Sequence, residues 1–365
     1  MTARCFFIGT TLADNPVPHH FTALANELVR RGHRVVIVAP HRVVELENHT
    51  SNPAIYVWPS PRPTKLADAL FLRRLIREYR PDCLIANFVA VNWMMFVGKW
   101  MGVRQRVAWY HTLSTQIQID NPAPAWKRWL LWHRKALVYR AATQIVPVSA
   151  AARADVARLH PRFAAKCRVI LNAINDPGVN AVVPATDRLV CAARFERSKG
   201  QDVLIRALGL LREQQPTVRV EFIGSGPAQA ACEELARAEK IADRCAFLGR
   251  VPHGEVLRHM AGATATVLPS RSDNCPLVTI ESLAVGTPVL GSRVGGIPEV
   301  VRDGVDGFLV PPDDPAALAA KLDGLLSDPA LQRQLRVNSR AGYCERFDLQ
   351  KAVPPQADWL EELTR

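Results

Sequence analysis

The chain has 365 residues, 48% of them hydrophobic and 22% charged, and a formal net charge of +12. That is length enough for two domains with separate cores, and no apolar run approaches the roughly 18 to 20 residues of a membrane span, so the composition is that of a soluble globular chain. The charge is uneven: residues 1–185 hold 24 Lys+Arg against 10 Asp+Glu and residues 186–365 hold 22 against 24, which turns the first half toward a polyanion, either nucleic acid or an anionic membrane surface.

Residues 1–11 pass from Arg4 straight into the apolar run 5–9, with Asp14 soon after. This is too short for a secretory signal and predicts a first strand. Apolar runs at 34–39, 83–86, 107–110, 144–148 and 167–171 predict further buried strands, and amphipathic patterns at 21–31, 66–79 and 126–141 predict helices between them. The stretch 126–140 carries Trp126, Trp129 and Trp132 among five cations. It reads either as an interfacial amphipathic helix or, because apolar residues fall nearly all round it, as partly core. Periodicity is lost over 172–187, where Asn, Gly and Pro place the domain boundary.

The second half repeats the same alternation, with strands at 189–192, 218–223, 245–248, 264–268, 288–291 and 307–310 and helices at 202–213 and 228–239. Strand–helix alternation predicts an α/β chain of two doubly wound, Rossmann-like domains facing across a cleft, each with ligand sites at the carboxyl ends of its strands. The expected division is 1–178, 179–345, and a last segment 346–365 whose helix, at about 355–363, packs back on the first domain. Eight cysteines (5, 83, 167, 191, 232, 245, 275, 344) are scattered without metal-ligand spacing. They predict reduced thiols in the cytoplasm and no metal.

The chemistry-bearing segments lie mostly in the second half. Residues 270–281 read Ser-Arg-Ser-Asp-Asn-Cys-Pro-Leu-Val-Thr-Ile-Glu and follow an apolar run. Pro276 suits a first helical position, leaving the amides of Leu277 and Val278 to hold an anion. Asp273 lies before that terminus and Glu281 beyond it, so the pair either serves a ligand with both phosphate and hydroxyls, as a nucleotide sugar has, or consists of two solvated acids. Arg194 and Lys199, after the strand 189–192, suit a diphosphate, or with Arg197 form a surface cluster. Gly224 and Gly226 allow backbone to approach a phosphate or ribose, or only make a turn. Gly295 and Gly296 open a further helix as an amide nest or a tight turn. In the first half His111 closes the run Trp-Tyr-His-Thr at a strand's carboxyl end, and Thr11, His19 and His20 flank the loop 10–18 on the same side.

In their order these segments resemble the retaining glycosyltransferases of family 4, with the two-domain GT-B fold. The carrying residues are Arg194-Phe-Glu-Arg-Ser-Lys199-Gly, Phe222-Ile-Gly-Ser-Gly226, Phe247-Leu-Gly-Arg-Val251, Asp273 to Glu281, Gly286-Thr-Pro-Val and Gly295-Gly-Ile-Pro-Glu299. The first half matches only generally. The resemblance implies that Arg194 and Lys199 bind the donor diphosphate, Asp273 the sugar hydroxyls, Glu281 the ribose, and the backbone of Gly249, Arg250 and Val251 the base. It places His111 near the transferred sugar, with Thr11, His19, His20, Gly295 and Gly296 on the acceptor side. The family has Glu where Asp273 stands, and the loop 10–18 lacks the usual paired glycines.

No nucleophilic carboxylate is evident for a double displacement, so the resemblance implies front-face substitution with cations and helix amides in place of a metal. The nucleotide sugar is a substrate, and no cofactor is expected. The partners implied are that donor, a lipid-linked or saccharide acceptor of cell-envelope polysaccharide, lipopolysaccharide or glycolipid synthesis, and an anionic surface on the inner face of the membrane. A GT-B nucleotide-sugar epimerase is one alternative. A basic-surface nucleic-acid-binding protein is another, disfavoured by few aromatics and no recognised module. A pyridine-dinucleotide enzyme lacks the first-strand fingerprint.

Overall fold

The computed structural model describes residues 3–11, 16–40, 51–179 and 184–365. Its strands form two six-stranded parallel sheets. The first holds β1 (Cys5–Gly9), β2 (Arg34–Ala39), β3 (Ala54–Val57), β4 (Cys83–Ala86), β5 (Gln105–Tyr110) and β6 (Gln144–Pro147), in the order β3-β2-β1-β4-β5-β6. The second holds β7 (Arg188–Ala192), β8 (Arg219–Ile223), β9 (Cys245–Gly249), β10 (Ala265–Leu268), β11 (Val289–Ser292) and β12 (Gly307–Val310), in the order β12-β11-β10-β7-β8-β9. Counted from its own first strand, each sheet has the same doubly wound order, reversing between its first and fourth strands. The central strands are buried on both faces, as the continuous apolar runs require: Phe6, Phe7, Ile8, Ala265 and Val267 are all 0% exposed.

The chain divides into two compact units, one of Met1–His111, Ala123–Asn175 and Leu349–Arg365, the other of Thr112–Pro122 and Asp176–Asp348. Thr112–Pro122 thus groups with the second unit although it lies within the first half of the sequence. Asp120 accounts for this, since its carboxylate accepts from the Ser198 backbone N–H at 2.9 Å and from the Ser198 hydroxyl at 2.7 Å.

Three sequence expectations change. Residues 167–171 are no strand: a 3-10 helix, Pro161–Lys166, leads into them. Cys167 makes only an isolated bridge with Ile145, on a stretch that buries too little side chain to complete a ladder. The edge strand β3 is an added element, only four residues long, and its brevity hides it between Pro53 and the prolines at 59, 61 and 63. The last helix begins at Leu349, not near 355, and carries Pro354 and Pro355 inside it. Burial of Val353, Ala357, Trp359 and Leu360 outweighs the roughly 3 kcal/mol an interior proline costs.

That helix packs on Pro16–Arg30 and the turn after it. Arg31 donates to Asp358 at 2.5 Å, Glu361 at 3.3 Å and the Pro354 carbonyl at 3.1 Å, and His33 Nε2 lies 2.8 Å from Glu361 Oε1. The helix Ala125–Ala141 is divided along its length. Residues 125–134 are all exposed, whereas Ala136, Val138, Tyr139 and Ala141 are buried. Among the described residues no helix is long and apolar enough to cross a membrane.

Candidate functional site

The second sheet reverses order at β7 and β10, and both strands run into polar segments at their carboxyl ends. After β7 the chain passes Arg194 and turns through a short 3-10 helix, Arg197–Lys199, into the helix Gln201–Leu210. After β10 it runs through residues 270–276 to Pro276, which caps the helix Leu277–Ala284. The proline therefore stands one position earlier than expected, while Leu277 and Val278 still occupy the first two helical positions, whose N–H groups have no intrahelical acceptor. This loop is unusually buried for its polarity: Ser270, Ser272, Asp273 and Asn274 are at most 5% exposed.

What buries the loop is its fastening to the turn after β7. Lys199 Nζ lies 2.6 Å from Asp273 Oδ2, with both side chains largely enclosed. Arg271 donates through Nη1 and Nη2 to the two Asp202 oxygens at 2.8 and 2.7 Å and through Nε to Asp313 at 2.5 Å. Burial works against the charge on Asp202, but the Arg271 hydrogen bonds and charge bring its pKa below the usual range. Ser270 Oγ donates to Asp273 Oδ2 at 3.5 Å, and the Asn274 N–H donates to Oδ1 at 3.0 Å. Oδ2 thus accepts two donors, whereas Oδ1 accepts one and keeps a lone pair for a further donor. Arg194 behaves differently: its side chain is 69% exposed and pairs with Glu196 at 2.7 Å, an arrangement an incoming anion can displace at little cost.

Two glycine turns close around these segments. Gly224 has φ of +132°, and a Cβ there would stand 2.1 Å from the Ala193 carbonyl oxygen. The next turn residues lean on the same segment, because a Cβ at Gly226 would meet the Phe195 backbone. Gly224 and Gly226 are therefore needed to seat this loop beside Arg194, whatever they do with a ligand. Gly295 has φ of +53° and would set a Cβ 1.6 Å from the Asp273 carbonyl oxygen, which accepts the Gly296 N–H at 3.2 Å. Gly295 and Gly296 thus stand against Asp273 in the second unit, and Thr11, His19 and His20 belong to the first.

Glu281, 6% exposed, is held by His253, whose Nε2 is 2.8 Å from Oε1. Arg250 is exposed and donates to Ser225 Oγ at 2.8 Å, and the Gly249 carbonyl accepts the Gly224 N–H at 2.7 Å. Val251 and Val278 pack on one small apolar cluster with Val190, Ile223 and Met260. The second unit therefore brings together Arg194, Lys199, Gly224, Gly226, Arg250, Val251, Asp273, Pro276, Leu277, Val278 and Glu281. Sequence reading missed Asp120, Arg271 and His253. Arg271 lies inside the quoted motif, and His253 directly follows the 249–251 segment, so both were within reach; Asp120 carried no signal.

In the first unit, His111 follows β5 and stacks on Phe88, with ring centroids 4.6 Å apart at 26°. Burial, and next the proximity of His20, pushes its pKa down to about 3, leaving a neutral imidazole. His20 is 6% exposed and bonds Gln356 of the last helix at 2.9 Å. That contact ties the side chain to the last helix. His19 and Thr11 are partly buried, and residues 12–15 of the loop 10–18 lie outside the described residues. Among the described residues the cysteines form no disulfide and no group of three metal-ligating side chains is present.

Residues 177–342 match the family model described as Glycosyl transferases group 1, and residues 17–176 the model described as Glycosyltransferase Family 4. The D-inositol 3-phosphate glycosyltransferase of Streptomyces bingchenggensis is 34% identical over 184 residues, which cover 48% of this chain and 40% of that protein. The match thus spans well under half of that relative's length. The structure of sucrose-phosphate synthase from Thermosynechococcus elongatus superposes with a TM-score of 0.76 at 20% identity, covering 99% of each chain. Anabaena HepE in complex with UDP gives 0.76 at 18% identity, covering 98% of this chain and 100% of the other. At such identities these two likenesses are of fold.

Proposed function

The chain belongs to the group 1, family 4 glycosyltransferases and has their GT-B fold, and from that premise we propose that it transfers a sugar, with retention, from a nucleoside diphosphate sugar to a hydroxyl acceptor in cell-envelope polysaccharide, lipopolysaccharide or glycolipid synthesis. The observation that carries the donor half of this reading is the 2.6 Å Lys199–Asp273 contact at the adjoining ends of β7 and β10. It sets a cation against a carboxylate on the loop that leads into the helix Leu277–Ala284, whose first N–H groups, on Leu277 and Val278, have no intrahelical acceptor. In this reading the diphosphate lies on Lys199, Arg194 and those amides. Asp273 offers the remaining lone pair of Oδ1 to a sugar hydroxyl, Glu281 takes the ribose in the orientation His253 gives it, and residues 249–251 border the base.

The chemistry follows from this donor set. The acceptor oxygen bonds to the anomeric carbon on the face the diphosphate leaves. The carbon–oxygen bond to the diphosphate breaks with its electron pair on the phosphate oxygen, and that oxygen takes the hydroxyl proton. Lys199, Arg194 and the helix amides stabilise the charge developing on the leaving group, the role a metal ion fills in other transferases. His111, neutral, can share a hydrogen bond with the transferred sugar without adding charge.

Placement at a membrane face belongs to the same proposal. Trp126 is 68%, Trp129 64% and Leu130 54% exposed, with Lys127, Arg128 and Arg134 exposed among them. An exposed aromatic and aliphatic surface set among cations suits an anionic lipid headgroup region and a lipid-linked acceptor.

UDP, GDP and ADP at millimolar concentration test the donor reading. One of them should raise the thermal midpoint by several degrees in the absence of other ligands; no response to any of the three overturns it. Incubation with the matching donor sugar alone distinguishes transfer from isomerisation, since a new epimer in that mixture would establish the alternative activity.

A further inference from the structure

Three polar side chains gather at the carboxyl end of the first sheet with no described group to satisfy them. The parallel register sets Gly9 level with Ala86 and Ala86 level with Ala108. Thr10 and Asn87 therefore stand side by side one step past β1 and β4, and the Asn87 backbone N–H donates to the Gly9 carbonyl at 3.0 Å. Thr10 is 3% exposed and Asn87 1%. Among the described residues, Thr10 Oγ1, Asn87 Oδ1 and Nδ2, and Nε2 of His111 at the end of β5 make no hydrogen bond. Buried polar atoms are almost always paired, so four orphans on three neighbouring strand ends need an explanation other than folding.

The residue after Asn87 adds a second, independent feature. Phe88 has φ of +48°, a backbone state that a bulky L-residue adopts only against strain and that clusters at binding sites. The strained turn holds its ring 47% exposed and stacked on His111. An apolar ring face thus lies beside groups that can both donate and accept. A hydroxyl needs that combination: the asparagine amide supplies two donors and an acceptor, and the threonine hydroxyl supplies one donor and two acceptor positions.

We propose that Thr10, Asn87, Phe88 and His111 form a binding site for a polyhydroxylated ring, a sugar or cyclitol, whose C–H face lies on Phe88 and whose hydroxyls pair with Asn87, Thr10 and His111 Nε2. None of the four side chains is charged, so the part of the ligand they recognise is neutral. The identification of that ring as the acceptor rests on the transfer reading above, because the groups assigned to the donor nucleotide and diphosphate belong to the second unit and only His111, assigned there to the transferred sugar, is shared with this site. Asn87 and Thr10 are then the residues that read acceptor hydroxyls.

The full-length protein, 15N-labelled, tests this by the side-chain amide signals of its asparagines, with the Asn87 pair assigned by its loss in Asn87→Leu. Methyl α-D-glucopyranoside and myo-inositol, each titrated to tens of millimolar, serve as probes, and UDP is titrated separately. At least one polyol should shift the Asn87 amide saturably. Asn87→Leu should abolish the polyol response and leave the UDP response unchanged. Its melting temperature, like that of Thr10→Val, should equal or exceed that of the wild type, because an apolar isostere removes an unsatisfied polar group. No saturable shift with either polyol overturns the proposal. So does a fall in melting temperature of more than about 4 °C in both variants, which would mark a structural role. Polyol binding without UDP binding sinks the donor reading and keeps this site; UDP binding without polyol binding does the reverse.

Discussion

Lys199 and Asp273 depend on each other. Their side chains are only 14% and 8% exposed, and removing one member of an enclosed ion pair leaves an uncompensated charge costing about 3–5 kcal/mol. Lys199→Ala should therefore lower stability and also weaken binding of the nucleoside diphosphate about 10- to 100-fold, the value of one charge-assisted hydrogen bond. Adding Asp273→Asn should restore most of the melting temperature without restoring affinity. Thermal melts and nucleotide titrations separate the two effects, and a double variant that regains affinity would remove Lys199 from the diphosphate site. Glu281 was legible in the sequence because its spacing from Asp273 follows a helix start. Asn87 was not: a single asparagine after an apolar run has no periodic signature, and its importance lies in hydrogen bonds it does not make.

At the scale of elements, the helix Ala125–Ala141 shows how one sequence pattern resolves into two environments. Its tryptophans and cations allow an interfacial or a core reading; the core reading holds for its second half, and its first half is exposed. Val138 and Tyr139 enter the core, while Trp126 and Trp129 stand in solvent. Trp126→Ser with Trp129→Ser should reduce co-sedimentation with phosphatidylserine-containing vesicles at least about tenfold, and Lys127→Glu with Arg128→Glu should do so more strongly at low than at high salt. Equal binding of wild type and variants to anionic vesicles would assign the exposed surface to something other than lipid. The run 167–171 taught the converse. Its apolar content matched that of a strand, but strand identity depends on a neighbour that completes the ladder, and beyond β6 only partial pairing was available.

For the whole molecule, acid should act first on the unit formed by the chain's two ends. His20, His111 and His160 all belong to it. Burial lowers the pKa of each, to about 3 for His111 and about 4 for His160, where the nearby Lys135 and Arg162 add to the effect. Above the ordinary value of 6.5 these imidazoles are neutral in both folded and unfolded chains and do not affect stability. As pH falls below it, the unfolded chain takes up protons that the folded chain refuses, so stability declines from about pH 6.5 toward 4. Melting temperatures measured from pH 7.5 to 5 should fall, and fall less steeply in His111→Gln; identical slopes would show that His111 does not carry the effect.

Hydrophobic period, glycine turns and capping residues are local properties, and they specify two doubly wound halves, the order of the donor motifs and the helix terminus after Pro276. Three-dimensional packing adds that Asp120 fastens a first-half segment to Ser198, that Gly295 stands against Asp273, that the last helix runs through two prolines to pack on Pro16–Arg30, and that Thr10 Oγ1, the Asn87 amide and His111 Nε2 have no hydrogen-bond partner among the described residues. Each depends on residues far apart in the chain meeting in space, and burial, close approach and hydrogen-bond satisfaction exist only once those residues have met.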